Sequence, residues 1–312
     1  MKNIATVGGG TGHYSLLRGL KNYDIHLDAI VSVADNGGST GSLRTEFGVL
    51  APGDLRNCLV ALSDEAEIKE LAGLFEYRFS GSQSFGDHNV GNIILTALSK
   101  IHGNMADAVN IAGKLLRVKG NVLPVSLDNS ELYAKTDSGR ILKGELEVSY
   151  PGKSEKITEL WLEPQANIYR ESAKAIRNSD MIVICPGDLY GSILPNFITK
   201  GFAGALAESK AKIVYVCNLV TKQGTYGFKS SDFVSEIEKY SGKKLDYIIC
   251  NSKRPTKEIV DKYRQETSFF VETDSLEERV CTEDLLIETV SGGKTVVRHD
   301  SEKISRIVMS LI

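Results

Sequence analysis

The sequence predicts an α/β protein: a doubly wound, mostly parallel, Rossmann-like sheet that carries a small antiparallel β insertion. Three observations predict it. Short apolar, β-branched runs alternate with helical periodicity along most of the 312 residues, as buried parallel strands and their crossover helices do. Three of these runs end in glycine turns that open into a helix pattern. From about Pro124 to Pro164 the rhythm gives way to short alternating strands and polar turns. Residues 1–312 therefore read as one α/β domain with a β-rich insertion at 124–164.

The first junction is the strand Asn3–Val7, the run Gly8-Gly9-Gly10-Thr11-Gly12-His13, and a helix with Leu16, Leu17 and Leu20 on one face. Such a turn lets backbone N–H groups and a positive helix end converge on one point, which attracts anions. Gly9, Gly10, Thr11 and Gly12 are therefore candidate phosphate contacts. The spacing is neither Gly-x-Gly-x-x-Gly nor a P-loop. A tight turn with nothing bound would use glycine too, but so many glycines after a first strand favour an anion site.

The second strand, Leu27–Ala34, runs into Asp35-Asn36-Gly37-Gly38-Ser39-Thr40-Gly41-Ser42-Leu43-Arg44. A carboxylate in this place holds a ribose hydroxyl in dinucleotide folds. The Gly/Ser/Thr loop that follows, ending in arginine, suits phosphate oxygens, so Asn36, Ser39, Thr40, Gly41 and Arg44 are candidates. In Pro52–Leu62, a turn and an apolar helix, Asp54 stands where an N-cap belongs. Arg56 and Asn57 fall in the first turn, where a cation opposes the helix dipole unless an anion is near. Asp87–Asn92 opens another helix, with Asn89 and Asn92 one turn apart and His88 beside them. A further helix is expected over Met105–Val118.

Within the insertion, strands are expected at Glu131–Thr136, Ile141–Val148 and Ile157–Leu162, with turns at Asp137–Arg140 and Tyr150–Lys153. Decoration, lid and oligomer contact are equally open for it. The doubly wound rhythm returns with a helix over Ala166–Asn178 and the strand Asp180–Cys185. That strand runs into the third junction, Pro186-Gly187-Asp188-Leu189-Tyr190-Gly191-Ser192. Gly187, Asp188, Tyr190 and Ser192 join the candidates. Two more strands, Lys212–Asn218 and Leu245–Asn251, end in asparagine at the ligand-bearing edge, which adds Asn218. Thr221–Phe228 forms a Gly/aromatic loop that covers the site, with a helix beginning near Lys229. The tail reads as strand and cap over Thr295–Asp300 and a closing amphipathic helix over Ile304–Ile312, with Arg298 open to an anion or a carboxylate and the ion pair favoured.

With 37 Lys and Arg against 40 Asp and Glu, the net charge is −3, so no global basic field recruits nucleic acid or acidic lipid. Five separated cysteines without a C-x-x-C pair support neither a disulfide framework nor a zinc cluster. They read as buried reduced thiols, as expected in a cytoplasmic protein. No leader or apolar span is apparent, so no membrane insertion is expected. No residue cluster has metal-ligand spacing. No cofactor is certain; a Mg²⁺ ion arriving with a nucleotide is left open, with Asp35, Asp54 and Asp188 as outer ligands.

In this order, Gly8–Gly12, Ala34–Gly41, Pro52–Asn57, His88–Asn92 and Pro186–Ser192 resemble the CofD-like superfamily, specifically its bacterial YvcK-type branch of gluconeogenesis factors. The resemblance spans essentially the whole chain. It implies a nucleotide or nucleotide-sugar ligand, growth on gluconeogenic carbon sources and normal cell shape. The superfamily's named enzyme, 2-phospho-L-lactate transferase, moves a phospholactyl group from a guanine nucleotide to a deazaflavin with the help of magnesium. Carried onto this chain, Gly9–Gly12, Ser39–Gly41 and Gly187–Ser192 would hold phosphates, and Asp35, Asn36, Asp54 and Asn57 would line the crevice. The consecutive aspartates of the transferases are here Asp35-Asn36-Gly37-Gly38, and their Pro-Asp-Leu-Asp element is Pro52-Gly53-Asp54-Leu55-Arg56. Metal ligands are thinned, which favours a nucleotide-sugar-binding regulator over a phospholactate-type transferase. Asp35 and Asp54 would be catalytic only in the transferase. A dinucleotide-dependent oxidoreductase is a distant third, and a homodimer is left open.

Overall fold

The computed structural model describes residues 1–79, 81, 86–152, 155–274, 278–291 and 293–312. In chain order they form β1 (Lys2–Gly8), α1 (Gly10–Leu20), β2 (Ile25–Val31), α2 (Gly38–Phe47), α3 (Gly53–Leu62), α4 (Glu65–Glu76), α5 (Val90–His102), α6 (Met105–Leu115) and β3 (Asn121–Pro124). The insertion follows as β4 (Glu131–Thr136), β5 (Ile141–Lys143), α7 (Glu145–Ser149) and β6 (Ile157–Glu163). Then come α8 (Arg170–Asn178), β7 (Met181–Ile184), a π-helical turn over Leu189–Ile193, α9 (Leu194–Phe197), α10 (Phe202–Glu208) and β8 (Lys212–Val216). The chain closes with α11 (Ser230–Ser241), β9 (Tyr247–Asn251), α12 (Lys257–Gln265), β10 (Val280–Glu283), β11 (Leu286–Ser291), β12 (Lys294–His299) and α13 (Ser301–Ser310).

The seven-stranded sheet has the order β10-β9-β8-β7-β1-β2-β3, and all its pairings are parallel. Its central strands read as near-continuous apolar runs because both faces are covered: Met181–Ile184 is buried throughout. One helical layer links α1, α3, α6 and α13, and another links α8, α9, α10 and α11. Leu16, Leu17 and Leu20, predicted on one face of α1, are fully buried. A three-stranded antiparallel sheet, β5-β4-β6, forms the insertion, and β11 and β12 make a separate hairpin. The doubly wound body and antiparallel insertion are thus as the sequence predicts.

Local departures have physical causes. The segment after Asp35, expected as a loop, becomes α2, because Ser39, Thr40, Leu43 and Arg44 bury one helical face; its polar inward residues hide that period. Residues 145–148, expected as strand, form α7. Gly144, at φ +87°, breaks β5, and Glu145 and Glu147 then suit a helix N-terminus. The N-cap of α3 is Pro52, not Asp54. β2 ends at Val31, short of Ala34. The third junction enters a π-helical turn rather than a long helix. Arg298 donates to the Val297 carbonyl (3.0 Å) and makes no ion pair among the described residues. Of the predicted turn at Tyr150–Lys153, Lys153 lies outside the described residues. The cysteines are free thiols, four buried and Cys281 half-buried.

Candidate functional site

β1 and β7 are neighbours from which the chain departs in opposite directions, β2 and β3 to one side, β8 to β10 to the other. That is the topological switch point, where open α/β sheets leave a crevice beyond the strand carboxyl ends. The loops after the two strands meet there without room for side chains. A β-carbon on Gly12 would stand 2.0 Å from the Pro186 carbonyl oxygen, and one on Gly187 would stand 3.2 Å from the Gly9 carbonyl oxygen. A β-carbon on Gly9 would stand 2.5 Å from Asp54 Oδ2 and 3.3 Å from Ser192 Cβ. Gly10, at φ +69°, then starts α1 at the crevice.

Four carboxylates surround this point. Asp35 Oδ1 accepts from the Gly37 N–H (2.9 Å), and a β-carbon on Gly53 would stand 3.1 Å from its Oδ2 and 2.5 Å from Thr40 Oγ1. Burial raises the Asp35 pKa, against the Gly37 and Thr40 hydrogen bonds and the charge of Arg44. The Asp54 pKa is pushed up to about 7, first by burial and then by the charge of Asp35, with Glu145 adding to it and the Gly10 N–H opposing. Glu145 comes from α7 in the insertion. Its carboxyl is also raised, by burial and by Asp188 and Asp35, and its Oε1 accepts from Ser149 (2.8 Å). Asp188 accepts from the Gly191 N–H (2.8 Å) and pairs with Lys222 (2.9 Å). Burial disfavours the Lys222 charge, but Asp188, Tyr150 and Glu145 together outweigh it and raise the pKa.

The centre is therefore more acidic than the thinned motif implied. Glu145 and Lys222 escaped sequence reasoning. Glu145 lay in what read as a strand, with no signal of its own, while Lys222 follows Thr221 in the loop expected to cover the site.

The remaining candidates divide. Thr11 is exposed and Gly12 half-buried at the start of α1. Asn57 reaches Asp54 (3.5 Å) and accepts from Arg56 (2.7 Å). Arg56 also donates to the Phe75 carbonyl (3.4 Å), and burial lowers its pKa. Asn218 bridges to the crevice by donating to the Gly187 carbonyl, while its oxygen accepts from Tyr215 (2.8 Å).

Asn36 and Arg44 turn the other way, into the insertion. Asn36 accepts from the Leu146 N–H (3.1 Å) and donates to Glu131 (3.3 Å). Arg44 donates to Asn129 (3.1 Å) and to the Ser130 carbonyl and lies 3.8 Å from Glu131. Gly41 packs on the Asn36 carbonyl, where a β-carbon would stand at 2.0 Å. Ser39 ties α2 to α5. Its Oγ meets His88 Nδ1 (3.1 Å), the Asn89 N–H (3.3 Å) and Asn92 Nδ2 (3.3 Å). Asn89 is the N-cap of α5, accepting from the Asn92 N–H. Tyr190 is buried and its hydroxyl meets Glu236 (3.3 Å) in α11.

A Mg²⁺ ion fits only as the companion of a phosphate. No three His, Cys, Asp or Glu side chains among the described residues are arranged to enclose a metal. Asp35 and Asp54 do offer two hard carboxyl groups close enough to act on each other, and Mg²⁺ is commonly held by one or two carboxylates plus substrate phosphates. Beyond Asn218 the crevice edge continues into a cavity of about 860 Å³, lined by the ends of β8 and β9 and by Tyr226, Phe228 and Phe269. Another cleft, of about 670 Å³, lies at the opposite edge of the sheet around Asn3, Asp28 and Asn121 and holds none of the predicted residues. Among the described residues no helix is long and apolar enough to cross a membrane.

Fold and crevice together define a doubly wound α/β protein with an acidic, glycine-walled cleft at its switch point. Comparison with known proteins agrees on the fold. The family model described as 2-phospho-L-lactate transferase CofD matches residues 4–292. A Thermotoga maritima protein named "Putative gluconeogenesis factor" is 42% identical over 98% of both chains. The Bacillus subtilis "Gluconeogenesis factor" is 37% identical over 99% of this chain and 98% of its own. The crystal structure of a Bacillus halodurans protein superposes with a TM-score of 0.92 at 36% identity, covering 99% of each chain. The chain belongs to the CofD family.

Proposed function

We propose that this protein is a cytoplasmic gluconeogenesis factor that binds a nucleotide, specifically a nucleotide sugar, across the switch-point crevice, in support of cell shape and growth on gluconeogenic carbon sources. One observation carries the reading: the two glycine turns after β1 and β7 meet so closely that a β-carbon on Gly12 would stand 2.0 Å from the Pro186 carbonyl oxygen, and a lysine, Lys222, pairs with Asp188 in the second turn. Backbone amides of Gly10, Thr11 and Gly12 would take phosphate oxygens. Lys222 would exchange its Asp188 partner for a phosphate, and Arg56 would add positive charge from the first turn of α3. The gluconeogenic role rests on the names of the relatives; cell shape and cytoplasmic location rest on the family resemblance alone.

A second reading, a nucleotide-dependent transferase of the 2-phospho-L-lactate type, is favoured by the carboxyl pair itself. Asp54, at about 7 beside Asp35, has the proton affinity of a general acid or base at neutral pH.

Calorimetric titration with UDP-sugars, GDP, GTP and NAD, with and without Mg²⁺, followed by mass spectrometry of each mixture, separates the two. Binding of an intact nucleotide sugar without Mg²⁺ supports the regulator. Mg²⁺-dependent binding of a guanine nucleotide with conversion supports the transferase. Unchanged affinity in both Asp54→Ala and Arg56→Ala would place the ligand elsewhere.

A further inference from the structure

β8 and β9 run in parallel register, with Val216 opposite Ile249, and the Cys217 N–H donates to the Ile249 carbonyl (2.8 Å). The next pair in that register is Cys217 opposite Cys250. In-register residues of neighbouring parallel strands share a face, and the strands lie about 4.7–4.9 Å apart, within the roughly 4.4–6.8 Å Cα separation that a disulfide spans. Both cysteines line the 860 Å³ cavity; both are free thiols, each only 2% exposed at the cavity wall.

We propose that Cys217 and Cys250 are a reversible dithiol–disulfide pair in the wall of this cavity, oxidised by low-molecular-weight disulfides. The neighbouring Cys250 thiol and burial push the Cys217 thiol well above the usual range, and the neighbouring Cys217 thiol, with Thr273 and Ser230, holds the Cys250 thiol below it. The exchange can begin at either thiolate, Cys250 for example. The Cys250 thiolate attacks one sulfur of the small disulfide, forming a mixed disulfide and releasing one small thiolate. Cys217 then loses its proton and attacks the Cys250 sulfur, releasing the second. Two protein thiols are oxidised to one disulfide, one small disulfide is reduced to two thiols, and the protein's two protons end on the released thiols.

Geometry makes the bridge labile. The β-carbons of in-register parallel neighbours start near the strand spacing, wider than the mean of about 3.8 Å in disulfides, and a stretched bridge is more easily reduced. Cys217 lies one residue beyond β8 and Cys250 one before the end of β9, where the backbone can yield. Cys217 also precedes Asn218, which donates to the Gly187 carbonyl. Any effect of the bridge on nucleotide affinity rests on the proposed function; the bridge itself does not.

The test therefore needs no nucleotide. The full-length protein is incubated with excess glutathione disulfide, blocked with N-ethylmaleimide and digested with trypsin without reduction. The expected product is Ile213–Lys222 linked to Leu245–Lys253, with a mass loss of about 2 Da in the intact chain that dithiothreitol reverses. Cys217→Ser and Cys250→Ser each abolish the linked peptide, and Cys281→Ser keeps it. Recovery of both peptides from the wild-type protein as maleimide adducts, with glutathione only on Cys281, would overturn the proposal whether or not the variants fold.

Discussion

Gly9 and Asp54 press against each other across the crevice: a β-carbon on Gly9 would stand 2.5 Å from Asp54 Oδ2. Gly9 itself is extended, with φ −171° and ψ 176°, a conformation open to any residue. The glycine is required by the neighbouring carboxylate and not by the backbone.

Gly9→Ala should therefore cost stability only by overpacking, about 1–3 kcal/mol, while weakening nucleotide binding at least about tenfold, near 1.4 kcal/mol. Asp54→Ala in the same chain should return part of the stability. Thermal unfolding of the two single variants and the double variant reads the coupling directly; additive effects would mean that the two residues do not touch.

Stability should depend on pH through Asp54. Its carboxyl binds a proton more tightly in the folded chain, at about 7, than at its reference value of 3.8. Its stabilising contribution is thus complete below pH 3.8, falls as pH rises toward 7, and is gone above that. Asp54→Asn, neutral throughout, should lack this loss and be more stable than wild type at pH 8 by roughly 2–4 kcal/mol. The raised carboxyls of Asp35 and Glu145 act in the same direction. Calorimetric Tm from pH 4 to 8 for both proteins checks the difference; parallel curves would refute it.

Lys222 and Arg44 should separate binding from architecture. Lys222→Ala leaves Asp188, whose side chain is 6% exposed, without its cation; stability should fall by about 1–2 kcal/mol and nucleotide affinity by about tenfold or more. Arg44→Ala strips the ties to Asn129, Ser130 and Glu131. It should cost about 2–3 kcal/mol, speed amide exchange in the insertion, and leave affinity within about threefold, 0.7 kcal/mol. Titration and hydrogen exchange on the same preparations test both.

Ser39→Ala should cost about 2 kcal/mol, because the Asn89 N–H and Asn92 Nδ2 lose their shared buried acceptor. Chemical denaturation measures this. A neutral result would mean that Ser39 does not join α2 to α5.

The alternation of apolar runs with glycine turns was enough to define the doubly wound body, because strand burial and helix periodicity are local properties of the chain. Local pattern also located Gly9, Asp35, Asp54, Gly187 and Ser192, since each stands at the end of a strand or the start of a helix. Where a side chain points was not local. Asp35 and Asn36 are consecutive, yet one enters the crevice and the other binds the insertion. Arg44, chosen for its charge, serves the insertion too, and α2 went unseen because its inward face is polar. Glu145 and Lys222 lie far from the glycine turns in sequence, and only the packing of the insertion and of the loop after β8 brings them to Asp188. The sequence determined the scaffold and the glycine walls, whose causes are local backbone geometry and apolar period. Tertiary structure decided the charge at the centre, because electrostatics depends on distances between segments that share no sequence signal.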